Sequence, residues 1–585
     1  MKKILSYMKA QEWVYFVLFV GLIFGQVLLS LKLPDFMQGI TNAMQAGNGD
    51  IGDLVMPAIL MLLCTLGSVA CAVLGGLCLA LLTSKVIQRM RAETFQKIIS
   101  FDLADMNTLS PSSLITRCTN DIAQIQNFSG MGLQILIQAP ITVVIAVMKM
   151  GSNGKWLTVT IAVAVILTII ALTLFLCSIS KTTRVQKLMD TINRITKEHL
   201  TGMRVVHAYN GYDYQKNQFE TVNSDLTKNN ITANRLIGSV GPFFTLSINL
   251  LNLIIVYLGG VMIRELVETT EKQSLFAEMV VFSSYAVQAI SAFAMMIIII
   301  AALPRTVVSI KRINEVLYTE NAIKDGHAET GANGQIGTIE FRDVSFRYPG
   351  SPENVLSNIS FRVERGQTVA IVGATGSGKT TLMNLIPRFY DATEGVVMVD
   401  GRDVRDYKLW ALRDRLGYVP QKSFLFSGTI YSNIDYGQRT GLQNTLSDIK
   451  KASEIGQSRD FIEKKEGGYE ARVEEGGSNF SGGQRQRLTI SRAVCRDPEM
   501  YLFDDSFSAL DFKTDATLRK TLRSHAKDAT QIIVGQRIGS IMHADNILVL
   551  DKGEIVGSGT HEELLANCPI YQEIASSQML TKEVG

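Results

Sequence analysis

The stretch Gly373-Ala374-Thr375-Gly376-Ser377-Gly378-Lys379-Thr380 decides the fold of the second half of this chain. It follows a short apolar strand, Thr368-Val369-Ala370-Ile371-Val372, and leads into a helix that begins near Lys379. In that order, strand, glycine-rich turn and helix bring several backbone N–H groups and a helix start onto one phosphate chain. The glycines let the backbone close in. Lys379 can then reach the β- and γ-phosphates, the Thr380 hydroxyl can ligate Mg²⁺, and Thr381 extends the polar cradle. A chance glycine-rich turn would not carry the full spacing with a strand in front of it.

More than a hundred residues downstream, the apolar strand Met500-Tyr501-Leu502-Phe503 ends in Asp504-Asp505. This layout sets a carboxylate beside the metal of a bound nucleotide, and Asp504 suits that role. Between the two motifs lies Phe480-Ser481-Gly482-Gly483-Gln484, followed by Arg485-Gln486-Arg487. This run resembles the signature loop of ATP-binding-cassette proteins. With it, nearly the whole chain is similar to the exporter half-transporters of that family, of the multidrug B-subfamily type.

The resemblance implies further roles. Tyr348 stands where an aromatic stacks on adenine, and Gln421 in Val419-Pro420-Gln421 occupies the Q-loop, a position that joins Thr380 and Asp504 around Mg²⁺. Ser508-Ala509-Leu510-Asp511 matches the D-loop. In cassette dimers each ATP lies between the phosphate loop of one subunit and the signature of the other, so Ser481, Gly482, Gly483 and Gln484 would cover the partner's nucleotide. The chain departs from the family pattern at two places. Hydrolytic members carry Glu after the Walker B Asp, where this chain has Asp505; they carry His in the switch loop, where this chain has Gln536. A carboxylate withdrawn by roughly an ångström can miss its water, at a cost on the order of 100-fold. A glutamine amide can hydrogen-bond a phosphate but cannot carry an imidazolium's charge. These departures resemble the degenerate-site subunit of bacterial heterodimeric exporters, with a partner half-transporter supplying the Glu and His. A slow but active homodimer is the alternative.

The first half of the chain explains what the ATP is for. With 585 residues, 47% hydrophobic and 19% charged, the composition is too apolar for a wholly soluble enzyme and too charged for a wholly intramembrane one. Apolar runs near 14–34, 55–84, 129–150, 157–178, 237–263 and 276–303 are each long enough to cross a bilayer as a helix. Six spans put both termini on the same side. Lys85, Arg89, Arg91, Lys97 and Arg117 follow the second span, and nine basic residues lie between Lys181 and Arg235 after the fourth. The opposite loops carry Lys155, Arg264 and Lys272. By the positive-inside rule, the basic segments and the cassette are cytoplasmic and the chain is multi-pass in the plasma (inner) membrane. The leading Met1-Lys2-Lys3 reads as part of a cytoplasmic elbow helix and not as a removed signal peptide.

The two basic segments, about 45 and 55 residues long, keep helical apolar spacing without enough apolar character for lipid. Within them, Leu114–Asp121 and Glu198–Val206 resemble family segments flanking the coupling helices. The polar, glycine-bearing stretch from Tyr318 to Gly337 reads as a linker. The expected organisation is therefore a membrane α-helical six-span domain over 1–317, a linker over 318–337, and a cytosolic α/β P-loop ATP-binding cassette over 338–585.

The net charge of +3 is small and concentrated near the membrane, which argues against nucleic acid as a partner. Cys64, Cys71 and Cys78 recur every seven residues on one helix stripe, a pattern that suits helix packing better than a metal site. Gln26, Lys32, Gln138, Asn249, Asn252, Glu278 and Gln288 lie in or at the ends of apolar spans and are candidate cargo contacts, with helix–helix hydrogen bonding as the competing use. The resemblance implies an ATP- and Mg²⁺-dependent exporter, in contact with membrane lipid, that moves small amphipathic, drug-like compounds by alternating access. A lipid or peptide exporter of the same fold, or a regulatory ATP-sensing subunit that does not pump, stays open at this point.

Overall fold

The computed structural model describes residues 7–45, 51–150, 173, 184–266, 268–332, 334–437 and 444–583. The leading Met1-Lys2-Lys3 of the expected elbow helix and, apart from Thr173, the expected fourth span at 157–178 lie outside the described residues. The chain divides into two compact units, Met1–Ile99 with Pro111–Thr319, and Ser100–Ser110 with Glu320–Gly585.

The first unit is helical. Among the described residues, five of its helices are long and apolar enough to cross a membrane: Ala10–Asn42, Leu54–Ile99, Pro111–Met150, Tyr212–Glu265 and Glu271–Tyr318. Three of the full helices run for 49, 54 and 50 residues. At 1.5 Å per residue these reach roughly 75–80 Å, more than twice the ~30 Å hydrocarbon core, so a large part of each must stand outside the bilayer. Each of the five carries one internal proline, Pro34, Pro57, Pro140, Pro242 and Pro304. In a soluble helix such a residue costs about 3 kcal/mol, but neighbouring helices can satisfy the backbone groups it releases.

First-helix residues Phe19, Ile23, Val27 and Leu31, spaced one turn apart, pack with Leu79, Leu82, Leu251, Ile255, Ala286 and Ile290. A smaller core of Ile87, Met90, Ile122, Ile125 and Ile313 holds the extensions together. There the buried Arg117 donates to the Arg312 carbonyl at 2.8 Å and pairs with Glu315, while Ser309 donates to Asp121 at 2.7 Å. Leu114–Asp121 thus begins the third long helix and ties it to the end of the last one. Glu198–Val206 breaks at Gly202, after which the short helix Met203–Ala208 begins. Asn252 accepts from Ser283 at 2.5 Å, which puts it to use between helices.

The second unit is built on strands β1 (Ile339–Phe346), β2 (Leu356–Val363), β3 (Thr368–Val372), β4 (Glu394–Val399), β5 (Arg402–Asp403), β6 (Leu416–Val419), β7 (Gly428–Thr429), β8 (Arg472–Val473), β9 (Met500–Asp504), β10 (Thr530–Val534), β11 (Asn546–Asp551) and β12 (Glu554–Gly559). One sheet has the order β2-β1-β4-β5 and a second the order β12-β11-β3-β10-β9-β6; β7 and β8 form a small pair. In the second sheet β11, β3, β10, β9 and β6 are parallel and β12 is antiparallel. β3, β9 and β10 are buried along their whole length, as expected of central parallel strands covered on both faces.

The stretch 318–337 is not a loose tether. Gly326, His327 and Ala328 donate backbone hydrogen bonds to Tyr407 and Asp406, Ala332 donates to Asp400, and Gly337 donates to the Asp400 carboxylate at 2.7 Å. Polar, glycine-bearing sequence suits a flexible linker and an edge segment equally, and here its N–H groups find acceptors. The short helix Leu103–Leu109 also belongs to this unit: Asp102 accepts from the Ile323 N–H at 2.9 Å, and Ala104 packs on the core around Phe341 and Tyr407.

Candidate active site

Four neighbouring parallel strands, β3, β10, β9 and β6, end at one edge of the sheet, in register through the pairs Ile371–Val534, Val534–Asp504 and Val419–Phe503. The residues that follow each strand therefore meet there, as ligand sites do at the carboxyl ends of open α/β sheets. β3 runs into the 373–380 loop, β10 into Gly535-Gln536, β9 into Asp505, and β6 into Pro420-Gln421. Together they line a cavity of about 310 Å³ to which Thr375, Gly376, Gly378, Lys379, Thr380, Thr381, Gln421, Asp504, Asp505 and Gln536 all contribute.

The loop needs its glycines. Gly376 and Gly378 have φ of 86° and 99°, a region that side chains strain to enter. A Cβ at Gly373 would run into the Leu550 carbonyl, and one at Gly378 would lie 2.7 Å from Leu356 Cδ2. Lys379 Nζ donates to the carbonyls of Gly373 and Ala374 at 2.9 and 2.6 Å and to Ser377 Oγ at 3.3 Å. Burial holds the Lys379 ammonium below its usual pKa, opposed by Asp505 and Asp504. A charge kept in so little solvent responds strongly to phosphate.

Thr380 donates to Asp504 Oδ1 at 3.1 Å. Burial pushes the Asp504 carboxyl up, against the Thr380 hydrogen bond, and the charge of Asp505 adds to the rise. The next residue is held differently. Asp505 has φ 46°, its N–H donates to the Val534 carbonyl, and one carboxylate oxygen, Oδ2, accepts from both Gln536 Nε2 at 2.9 Å and Gln421 Nε2 at 3.3 Å. Burial raises this carboxyl too, against the Gln421 hydrogen bond and the charges of Lys379 and Arg537. The two positions that depart from the expected Glu and His are thus bonded to each other.

Tyr348 and the signature residues lie apart from the cavity lining. The Tyr348 hydroxyl is 3.0 Å from Thr381 Oγ1, and its ring packs edge-on against Phe346 and Tyr390. Ser481 caps the 14-residue helix Gly482–Cys495 through a reciprocal pair: Ser481 N–H donates to Gln484 Oε1 at 3.0 Å and Gln484 N–H to Ser481 Oγ at 3.3 Å. Ser481 and Gly482 are exposed, and a Cβ at Gly482 would meet open space. At Gly483 it would press within 3.2 Å of the Ala509 carbonyl, in the 508–511 stretch. Asp511 caps the helix Phe512–His525 by accepting from the Thr514 N–H at 3.0 Å.

Two supporting residues escaped the sequence reading. Gln578, on the C-terminal helix Pro569–Glu583, donates to the Gln536 carbonyl at 2.6 Å and accepts from the Ile538 N–H at 2.8 Å, bracing the segment after β10 from both sides. Ser423 donates to Gln486, joining the segment after Gln421 to the helix behind Ser481. Neither belongs to a motif with a fixed spacing.

Comparisons with known proteins agree with this architecture. The ABC transporter transmembrane region family matches residues 13–293, and the ABC transporter family matches 356–508. An uncharacterized ABC transporter ATP-binding protein of Mycobacterium tuberculosis is 38% identical over 561 residues, 95% of each chain. A Bacillus subtilis protein provisionally named a multidrug export ATP-binding/permease protein is 31% identical over 85% of this chain and 84% of its own. The ATP-dependent lipid A-core flippase of Pseudomonas aeruginosa is 28% identical over 98% and 95%. Among solved structures, a bacterial Atm1-family ABC exporter with ATP bound superposes with a TM-score of 0.80 at 23% identity, covering 97% of this chain and 98% of that one.

Proposed function

The chain belongs to the ABC transporter family as an ATP-driven exporter half-transporter, and from that premise we propose that it is the degenerate-site half of a heterodimer. The observation that carries the proposal is the bonding of Asp505. A general base must offer a lone pair to its water, and here one carboxylate oxygen already accepts two amide N–H groups, from Gln421 and Gln536. Gln536 brings neither basicity nor positive charge to the position where an imidazole is expected. The signature, by contrast, is intact, with Ser481 and Gly482 exposed and suited to another subunit's nucleotide.

This chain's own site retains what binding requires. The 373–380 loop and Lys379 would hold the phosphates, while Thr380, Asp504 and Gln421 offer the hard oxygen donors that Mg²⁺ takes. When bound, the ion supplies charge neutralisation to the phosphates. ATP held here would keep two cassettes together while turnover runs at the site that Ser481, Gly482 and Gln484 complete on the partner. We place the protein in the plasma (inner) membrane with the cassette cytosolic. Its cargo is read as amphipathic or hydrophobic compounds of drug-like size, in line with the naming of the Bacillus relative; the flippase relative makes a lipid the competing cargo.

The test is ATPase activity of the purified chain alone and with a partner half-transporter that carries the Glu and His. Activity in the pair alone, abolished by Gly482→Asp in this chain, is the expected result. Brisk turnover by the lone chain would make Asp505 and Gln536 competent and remove the need for a partner. Cargo-stimulated turnover separates a pump from an ATP sensor.

A further inference from the structure

Three glutamines from three separate apolar runs, Gln26, Gln138 and Gln288, line one cavity of about 370 Å³ inside the helical unit. Each lies near the middle of its run, at 14–34, 129–150 and 276–303. On each helix a hydroxyl follows the amide by one turn on the same face: Ser30 after Gln26, Thr142 after Gln138, and Ser291 after Gln288. The rest of the lining is largely apolar, with Ile135 and Met295 among it, and none of the residues lining it is charged. Thr142 donates to the Gln138 carbonyl at 2.9 Å, while the three glutamine amides make no hydrogen bond among the described residues. Lys32, Asn249, Asn252 and Glu278, polar residues of the same spans, do not line this cavity.

An amide at mid-span is costly without a partner, and three on one wall multiply that cost. Each amide offers two donors and an acceptor, so the wall suits a ligand that both gives and takes hydrogen bonds. With no charged side chain in the lining, a charged ligand would enter without a direct counter-charge, at a cost far above that of a neutral one. We propose that this cavity is a binding site for uncharged amphipathic molecules, bearing carbonyl or hydroxyl groups on an apolar frame, and that the amide–hydroxyl pairs set the preference for neutral cargo. The volume falls within the range of small-molecule sites. The proposal rests on the exporter reading and narrows its substrate class.

The test is binding of tritiated progesterone, a neutral steroid with two ketones, to the full-length protein in lipid nanodiscs, with empty nanodiscs as background. Cholate, an anionic steroid, and tetraphenylphosphonium, an apolar cation, serve as competitors. Saturable progesterone binding that neither ion displaces, weakened about 10-fold or more by Gln138→Leu with Gln288→Leu and unaltered by Asn249→Leu, is the expected result. Gln138→Glu should let tetraphenylphosphonium compete, which keeps the test decisive if the leucine pair fails to fold. Absence of saturable binding, equal competition by the ions, or full binding by the leucine pair would overturn the site. ATP-driven uptake into inverted vesicles that hold this chain together with its Glu- and His-bearing partner half-transporter is scored separately. Glutamine-dependent binding without uptake would sink the exporter reading and leave the site, whereas uptake indifferent to the leucine pair would do the reverse.

Discussion

Asp505 sits at φ 46°, a conformation that Asp adopts more readily than most residues, with two amides on one carboxylate oxygen. If the partner's site does the hydrolysis, Asp505→Asn should leave more than roughly half of the pair's ATPase, while removing the partner's corresponding Glu should abolish it. Equal losses from the two changes would contradict the asymmetric arrangement. The converse change is equally informative. Asp505→Glu with Gln536→His restores the missing methylene and the basic ring, and should raise turnover at this site by about 10-fold or more when the partner's Glu is disabled. The residues of this site were readable because a nucleotide's phosphates demand fixed spacings along one loop and one strand end. Gln578 was not, since its hold on Gln536 depends on how a helix 42 residues downstream packs.

At the scale of elements, the segment from Ser100 to Ser110 separates what periodicity can report from what it cannot. The long spans announced themselves through 20 or more apolar residues, a length that a bilayer imposes. Leu103–Leu109 has seven residues and is held by partners far away in sequence, chiefly the Ile323 N–H on Asp102. Burial raises the Asp102 carboxyl above the ordinary carboxylate range, against the Ile323 hydrogen bond and the Arg413 charge. An acid with a raised folded pKa gives its full stabilisation below its unfolded pKa and loses it as pH rises through the folded one. At neutral pH the segment therefore bears the cost of a buried charge. Asp102→Asn, which keeps an acceptor for Ile323, should match or exceed the wild-type melting temperature at pH 7 and flatten its dependence on acid. Asp102→Ala leaves that N–H without its acceptor and should cost about 1–3 kcal/mol. A less stable Asn variant at pH 7 would mean that the carboxylate's charge, through Arg413, outweighs its burial. The stretch 318–337 reads as a linker from its glycine and polar residues, and that composition does not report the backbone bonds it makes to Asp400 and Asp406.

For the whole molecule, the apolar runs and the phosphate-loop spacing separated a helical membrane half from an α/β half, yet they carry little about pairing, because a site shared between two chains leaves only half its residues in each. Orientation is more legible, since basic residues at helix ends respond to the membrane itself. Helices of 49, 54 and 50 residues then have to project from the side where those residues cluster. Two exposed positions test this on the full chain with its seven cysteines replaced. Glu268 lies between the last two long helices, at the end remote from the basic segments, and Tyr209 is 82% exposed just after the helix Met203–Ala208. Glu268→Cys should react with a membrane-impermeant maleimide on intact cells, and Tyr209→Cys should react only after permeabilisation. The opposite pattern would invert the topology and put the cassette outside the ATP-containing compartment. Labelling of both in intact cells would mean that the run at 237–263 does not cross, since it is the one span between Tyr209 and Glu268.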